Sequence, residues 1–445
     1  MNFTQRNIEF LLTLGDLALS TSFIDKLRYW RKKLKGKKED LENLQALKLK
    51  EMLRFASQNS EHYAKLDIKE TEDPYTWLRK FPILPKQKLK DDLDSFLTRK
   101  DLDKLVGITS SGSTGAPSKV YFSKSELSNN RALQIIWWEW AGYQFGKSLL
   151  QTGVNTKRSF DKKVKDKLLN TRYIDAVTHD EKQILEELEI LRKEPRAYFV
   201  GYASSIFLFA KIAKKYGIRD VKFDGVISIG EKLLPNFRQE IEEAFSCSVF
   251  DTYGASEGFL IASQCTYGKY HLMSPHLVLE ILDENDQEVK PGETGRVILT
   301  GLDNFTTPLI RYEVGDLAIK GNQEPCKCGL ELPVIEEVIG RITEFILTEK
   351  GKFITVQTVV RLMKNFSQVD QFKFIQLGEN RLEVEMVSSE TLDDTFFIAV
   401  QNEIERVVGE KFEIEFKQLD QISKAKSGKF QLIENRFNQS NAKSV

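Results

Sequence analysis

F-D-G-V-I-S-I-G (Phe223–Gly230) and S-V-F-D-T-Y-G (Ser248–Gly254) decide how this chain folds. Each is a short apolar run rich in β-branched and aromatic residues and closed by glycine, which predicts a buried strand. The stretch between them, up to Phe245, has helical spacing. Working outward, R-A-Y-F-V-G-Y (Arg196–Tyr202) is another such strand, followed by a helix to Tyr216. Strand and helix in alternation predict a largely parallel sheet with helices on its faces. Ligands of such sheets gather beyond the carboxyl ends of the strands. Gly230, Glu231, Tyr253 and Gly254 therefore fall at the candidate site.

On either side the pattern changes. Residues 1–100 read as helices, with L-K-L-K-E-M-L-R-F-A-S-Q-N-S (Leu47–Ser60) at helical spacing and P-I-L-P-K-Q-K-L-K-D-D (Pro82–Asp92) turning into a further helix. From His271 the chain turns β-rich, P-G-E-T-G-R-V-I-L-T (Pro291–Thr300) giving a hairpin turn and a strand. From about Gly340 a separate α+β section begins, with strands at Glu344–Leu347 and Arg381–Val387 and helices at Val356–Lys364 and Leu392–Val408. The fold class is thus α/β. A large N-terminal domain (1–340) comprises a helical start (1–100), an α/β core (101–265) with mixed or parallel sheets flanked by helices, and a β-rich part (266–340). A small α+β domain (341–445) follows.

A chain of 445 residues is too long for one core, which agrees with that division. Lys plus Arg equals Asp plus Glu, 65 each, so the chain lacks the basic excess that binding to nucleic acid rests on. The basic Lys147–Lys167 stretch reads as a solvated helix face. Residues Phe10–Phe23 read as an amphipathic helix packed on the domain, in preference to a membrane-surface one. No signal peptide and no apolar span of about 20 residues is evident. Four cysteines without a secretory signal point to a reducing, cytoplasmic setting.

T-S-S-G-S-T-G-A-P-S-K (Thr109–Lys119) is a hydroxyl- and glycine-rich loop suited to converging N–H groups on phosphate, but it lacks the G-K-[ST] ending of the common nucleotide loop. After it come D-T-Y-G-A-S-E-G (Asp251–Gly258), T-P-L-I-R-Y-E-V-G-D-L (Thr307–Leu317), G-R-I-T-E-F (Gly340–Phe345) and K-A-K-S-G-K (Lys424–Lys429). Taken singly, each is weak: Tyr253 reads equally as a core aromatic, Asp316 as a turn residue and Lys429 as a loop lysine. In this order the series resembles the adenylate-forming (acyl-CoA synthetase) superfamily. Within it the chain is most similar to the phenylacetate–CoA ligase group with its CapK-like members. F-A-S-Q-N-S-E-H-Y and F-P-I-L-P-K near the N-terminus carry the resemblance across nearly the whole chain.

The resemblance implies an AMP-forming acid–thiol ligase. A carboxylate attacks the α-phosphate of ATP, and the acyl group then passes to coenzyme A, or to an amine in the alternative. Ser110, Ser111, Gly112, Ser113, Thr114 and Gly115 would wrap the phosphates, with Lys119 nearby. Tyr253 would stack on adenine, with Gly230 and Glu231 at its edge, and Asp251, Gly254 and Ser256 belong to the same nucleotide motif. Glu257 would hold Mg²⁺, a hard cation that takes carboxylate oxygen. Asp316 would bind the ribose hydroxyls, Arg341 would lie beside ribose or the α-phosphate, and Lys429 would bridge carboxylate and phosphate. The C-terminal domain would be mobile about a hinge at Ile342–Glu344. Trp137, Tyr202 and Ala203 would line an acyl pocket for an aromatic or hydrophobic acid, although Trp137, Trp138 and Trp140 at helical spacing read as readily as core. The expected partners are a small carboxylic acid and CoA or an amine; a homodimer is the candidate assembly.

Three departures from the family pattern stand out: Ala116 where the loop has lysine, Thr343 at the hinge, and Ser274–Pro275 where phenylacetate ligases carry an acidic pair. Cys265 and His271, with Cys326 and Cys328, form a Cys₃His set suited to a tetrahedral structural Zn²⁺, as some relatives carry. The bland alternative, two reduced cysteine clusters and an incidental histidine, stays open. Cys247 reads as a core thiol.

Overall fold

The computed structural model describes residues 3–109, 119–153, 163, 166–167, 169–175, 181–322, 324–341, 345–348, 353–363, 365–422 and 431–437. Helices fill the first hundred residues: α1 (Phe3–Leu19), α2 (Phe23–Lys33), α3 (Lys38–Asn59), and the short α4 (Glu61–Ala64), α5 (Pro74–Leu78), α6 (Lys86–Asp91) and α7 (Leu93–Phe96). Strands β1 (Val106–Thr109) and β2 (Lys119–Phe122) pair antiparallel and lead into α8 (Lys124–Trp140). A capping box starts α8: Ser123 Oγ accepts the Glu126 N–H while the Glu126 carboxylate accepts the Ser123 N–H.

The centre is one large sheet. Its parallel half comprises β3 (Leu149–Gly153), β4 (Thr171–Asp175), β5 (Tyr198–Gly201), β6 (Gly225–Ser228) and β7 (Val249–Ala255), ordered β4-β3-β5-β6-β7. Helices α9 (Glu181–Lys193), α10 (Ala203–Lys215) and α11 (Pro235–Phe245) connect them. Beyond β7 the sheet continues through β8 (Phe259–Gln264), β9 (Tyr270–Leu272), β10 (Leu277–Leu282), β11 (Thr294–Gly301), β12 (Tyr312–Lys320) and β13 (Val334–Arg341). That half is ordered β10-β11-β12-β13-β9-β8 and joins β7 through β8. The β7–β8 and β8–β9 pairs are antiparallel. The expected mixed α/β architecture is therefore present. The four strands β3, β5, β6 and β7 are buried runs covered by helices on both faces, as parallel strands must be.

Two readings need correction. Leu149–Gly153 lies inside the stretch taken for a solvated helix face, yet it forms β3, with four of its five residues buried. Its lysine-rich flanks mask a short apolar strand. The Phe10–Phe23 stretch is not one helix: α1 ends at Leu19 and α2 begins at Phe23, and in α1 Glu9 and Leu12 are buried while Phe10, Leu11, Leu14 and Leu17 are exposed.

The chain divides into two compact units, the second comprising Ile339 onward together with Gly315–Leu317. In this unit β14 (Phe345–Leu347) pairs with β15 (Phe353–Thr355). Strands β16 (Gln371–Gln376), β17 (Arg381–Val387), β18 (Glu413–Gln418) and β19 (Ile433–Asn435) form a sheet ordered β18-β17-β16-β19, alongside α12 (Val356–Met363) and α13 (Asp394–Val408). Helix α13 is closed at both ends, by the Asp393 carboxylate accepting the Phe396 N–H and by Gly409 in the left-handed region.

Candidate functional site

Glu257 is a buried carboxylate held by partners from two other parts of the chain. Strand β7 shifts register between Tyr253 and Gly254 and then reverses into β8 through Ser256–Glu257–Gly258. Gly258 has φ +90° and donates its N–H to the Ala255 carbonyl at 3.0 Å. A Cβ on Gly258 would come within 2.3 Å of the Phe122 ring, so this turn requires glycine in both conformation and space. The turn directs Glu257 inward, where its side chain is 3% exposed.

Lys86 and Tyr312 are among the groups that meet the Glu257 carboxylate there. Lys86 Nζ lies 2.9 Å from Oε1, and the Tyr312 hydroxyl donates to the same oxygen at 2.9 Å. Burial alone would raise the Glu257 pKa; the Lys86 ammonium outweighs it and holds the carboxyl below its ordinary value. Lys86 arrives by backbone pairing. Leu84 forms a parallel bridge to Tyr312, with Leu84 N–H donating to the Arg311 carbonyl (2.8 Å) and Glu313 N–H to the Leu84 carbonyl (3.0 Å). Pro85 then caps α6, whose first residue is Lys86. Arg311 locks the corner: Nε and Nη2 bond the two Glu280 oxygens at 3.1 and 3.0 Å, and Nη1 bonds the Phe81 carbonyl at 2.9 Å. Lys86 is the residue that sequence reasoning missed. Its signal was the F-P-I-L-P-K stretch, read there only as a marker of kinship.

A second polar chain lies beside Glu257. His276 Nδ1 lies 2.7 Å from Asp303 Oδ2, and Lys48 Nζ donates to Asp303 Oδ1 at 2.7 Å and to the Pro275 carbonyl at 2.8 Å. Burial works to raise the Asp303 pKa, but the Lys48 charge and the His276 hydrogen bond bring it down to about 2. Burial lowers the pKa of Lys48 in turn. Gln45 Nε2 braces the same turn through the Ser274 and Leu277 carbonyls.

Among the other residues singled out, Tyr253 is buried with Phe122, Phe259 and Ile261 in the central core. Trp137 is buried with its ring against Gly254, 3.7 Å from where a Cβ would stand. Trp138 is core. Ala203 is fully buried at the start of α10, and Tyr202 is half-buried just before it. Gly230 has φ +70°, and the Glu231 carboxylate accepts the Ser204 N–H at 2.9 Å, capping α10. Ser256 and Gly254 are exposed. Asp251 points into the sheet: it accepts the Tyr270 hydroxyl at 2.6 Å, and burial raises its pKa to about 6. Its Oδ1 has no well-aligned partner among the described residues. Lys119 opens β2 as an exposed side chain over the Tyr121 ring, 4.5 Å from its centroid. Asp316 lies on β12 directly after Gly315, and Arg341 is the last residue of β13. Ser110, Ser111, Gly112, Ser113, Thr114, Gly115, the Ile342–Glu344 hinge and Lys429 lie outside the described residues.

The Cys₃His set converges. The ligand atoms of Cys265, His271, Cys326 and Cys328 all lie within 4.8 Å of one another. The β8–β9 hairpin carries Cys265 and His271, and the β12–β13 connection carries the other two. Cys265 Sγ and Cys326 Sγ are 3.8 Å apart, the edge of a tetrahedron with sulfurs about 2.3 Å from its centre and far beyond a disulfide's ~2.05 Å. Cys328 Sγ is 3.2 Å from His271 Nε2, while His271 Nδ1 faces the Leu332 carbonyl at 3.4 Å. That backbone acceptor leaves Nε2 as the ligand nitrogen. Burial lowers the His271 pKa, favouring the neutral ring that binds metal. Trp140 packs edge-on to His271, with centroids 6.1 Å apart. Cys247 is a half-buried thiol whose pKa burial raises to about 12.

Comparison with known proteins places the chain among relatives of similar sequence and fold. The family model described as the CapK C-terminal domain matches residues 346–436. Protein CapK of Staphylococcus aureus is 24% identical over 405 residues, covering 88% of each chain. Phenylacetate-coenzyme A ligase of Thermus thermophilus is 22% identical over 390 residues, covering 82% of this chain and 85% of that one. Among solved structures, 2-hydroxyisobutyryl-CoA ligase in the postadenylation state, in complex with R3-HIB-AMP, superposes with a TM-score of 0.71 at 16% identity, covering 91% of both chains. The chain is thus a relative of CapK and the phenylacetate–CoA ligases and has the fold of the adenylate-forming ligases.

Proposed function

We propose that the chain is an ATP-dependent, AMP-forming ligase: it joins a carboxylic acid to AMP with release of pyrophosphate, then passes the acyl group to the thiol of coenzyme A with release of AMP. The observation that carries this reading is the buried Glu257 carboxylate, held ionised by Lys86 at the turn of the D-T-Y-G-A-S-E-G motif. A nucleotide phosphate site needs a fixed anion for a divalent cation and a fixed cation for the phosphates, and this pair supplies both from two elements that the fold brings together. Mg²⁺, when bound with ATP, supplies charge neutralisation between the phosphates, and Glu257 is the residue that would hold it.

Lys86 gives the phosphates the ammonium that the loop lacks at Ala116. The exposed Lys119, over Tyr121, is the weaker substitute. Tyr253, Gly230 and Asp316 would receive adenine and ribose, and Arg341 and Lys429 the α-phosphate and carboxylate. Residues 341–445 would form the domain that exchanges the two half-reactions about residues 342–344. The face of Trp137 against Gly254, with Tyr202 and Ala203, suits an aromatic or other hydrophobic acid. The Cys₃His set would hold a structural Zn²⁺ with no open position, tying two sheet connections together without joining the chemistry. Among the described residues no helix is long and apolar enough to cross a membrane.

The test is to incubate the protein with ATP, Mg²⁺ and a panel of acids and to weigh the products with and without CoA. An acyl-adenylate that becomes an acyl-CoA is expected. An adenylate consumed only by added amines would assign the chain to amide formation instead, and the absence of any adenylate would reject the reading.

A further inference from the structure

A small open cleft lies beside the Glu257 turn; Phe122, Asn130, Glu257, Phe259, His276 and Leu309 are among the residues that line it. His276 is 4% exposed, and its Nε2 is buried without a hydrogen-bond partner among the described residues. The other face of the ring is fully committed, because Nδ1 meets the Asp303 carboxylate at 2.7 Å. Asp303 is itself held as an anion by Lys48 at 2.7 Å, so it takes the hydrogen bond of the Nδ1 proton. The neutral ring therefore keeps its proton on Nδ1 and presents the Nε2 lone pair. Two acceptor side chains, Glu257 and His276, thus line one small cleft, with His276 Nε2 buried at its wall and Lys86 on Glu257 Oε1.

From this geometry we infer that the cleft holds the hydration shell of the divalent cation, with Glu257 as direct ligand and His276 Nε2 accepting a hydrogen bond from a cation-bound water. The inference rests on the reading of Glu257 given above. Two acceptor side chains on one cleft select a donor. Magnesium also gives up its waters reluctantly and is usually bound with several of them in place. Lys48 and Asp303 then act at one remove: they fix the imidazole tautomer and leave the acceptor facing the water. His276 is in this sense a positioning residue, and the chain Lys48–Asp303–His276 gives the buried imidazole and the two half-buried charges behind it a common role.

The experiment is a Mn²⁺ titration followed by electron paramagnetic resonance, using the full-length protein and a non-hydrolysable ATP analogue. Loss of an outer-shell partner typically weakens metal binding by about 10–100-fold. H276L should therefore bind Mn²⁺ at least about tenfold more weakly than the wild type. H276Q, which can still present an acceptor, should lose distinctly less, and D303N should fall between them. If E257Q abolishes Mn²⁺ binding while H276L binds within about twofold of wild type, the inference is overturned and the reading of Glu257 stands. If E257Q binds as tightly as wild type, both fail. Should H276L not fold, pulsed measurement of Mn²⁺ on wild-type protein labelled with ¹⁵N-histidine gives the same decision: a weak ¹⁵N coupling is expected, and its absence contradicts the inference.

Discussion

Two polar clusters are buried in the first unit, and they are built on opposite plans. The Cys265–His271–Cys326–Cys328 cluster is closed: four ligand atoms converge within 4.8 Å, and the second nitrogen of the histidine faces a backbone carbonyl. Glu257 and the His276–Asp303 pair line a cleft, and one of their atoms, His276 Nε2, has no partner among the described residues. A closed set satisfies itself once a metal is bound, which is the mark of a structural site. An open set keeps unspent hydrogen-bonding capacity for something that comes and goes. Buried polar groups are costly unless satisfied, so their persistence beside a cleft points to a ligand.

If that contrast is right, the two clusters must respond differently to damage. Glu257→Gln and Lys429→Ala should each reduce adenylation by about 10²–10³-fold or more while leaving the melting temperature nearly unchanged. Retention of full pyrophosphate exchange by either variant would contradict its role. Lys86→Ala should raise the KM for ATP and lower turnover, together by about 10–100-fold, the scale of a lost charge-assisted hydrogen bond. Lys119→Ala should do far less, and equal effects of the two would blur the assignment of the missing cation. The closed cluster should show the reverse pattern. His271→Ala, or prolonged chelation, should release one equivalent of zinc by elemental analysis and lower the melting temperature by roughly 5–10 °C. Adenylation measured well below that temperature should survive within about threefold. Loss of activity without loss of stability would place the metal in the chemistry after all.

The smallest expected effect concerns Asp251, a buried carboxyl that serves neither cluster. Its folded pKa of about 6 lies above its ordinary value, so the native state binds the extra proton. The stability this contributes is fully present below about pH 4 and is lost as pH rises through 6. Asp251→Asn keeps an oxygen for Tyr270 and removes the titration. Its stability relative to wild type should therefore improve by roughly 1–2 kcal/mol between pH 5 and pH 8, as read from denaturant melts. A gap independent of pH would show that Asp251 does not titrate in this range.

Much of the architecture could be read from local pattern. The runs at Tyr198–Gly201, Gly225–Ser228 and Val249–Ala255 are apolar, brief and bounded by glycine or helix starts, so their type follows from period and length. Strand β3 escaped because its five residues, L-L-Q-T-G, hold only two apolar side chains and lie in a lysine-rich stretch. The cysteine set was legible because both pairs have ligand spacing along the chain. Lys86 and the His276–Asp303–Lys48 chain were not legible for the opposite reason. Each joins residues brought together only by sheet topology, Lys86 by the Leu84–Tyr312 bridge and Lys48 by the packing of α3 against the turn before β10. Asp251 reads in the sequence as part of a nucleotide motif, and only the direction of its side chain in β7 shows it committed to Tyr270.

The central claim is that this chain activates a carboxylic acid with ATP. Its most direct test is exchange of labelled pyrophosphate into ATP, measured with purified protein and Mg²⁺ across a broad panel of aromatic, aliphatic and hydroxylated acids. Exchange that depends on one class of acid and disappears in Glu257→Gln is expected. Folded protein that binds ATP yet exchanges no pyrophosphate with any acid in the panel would contradict it.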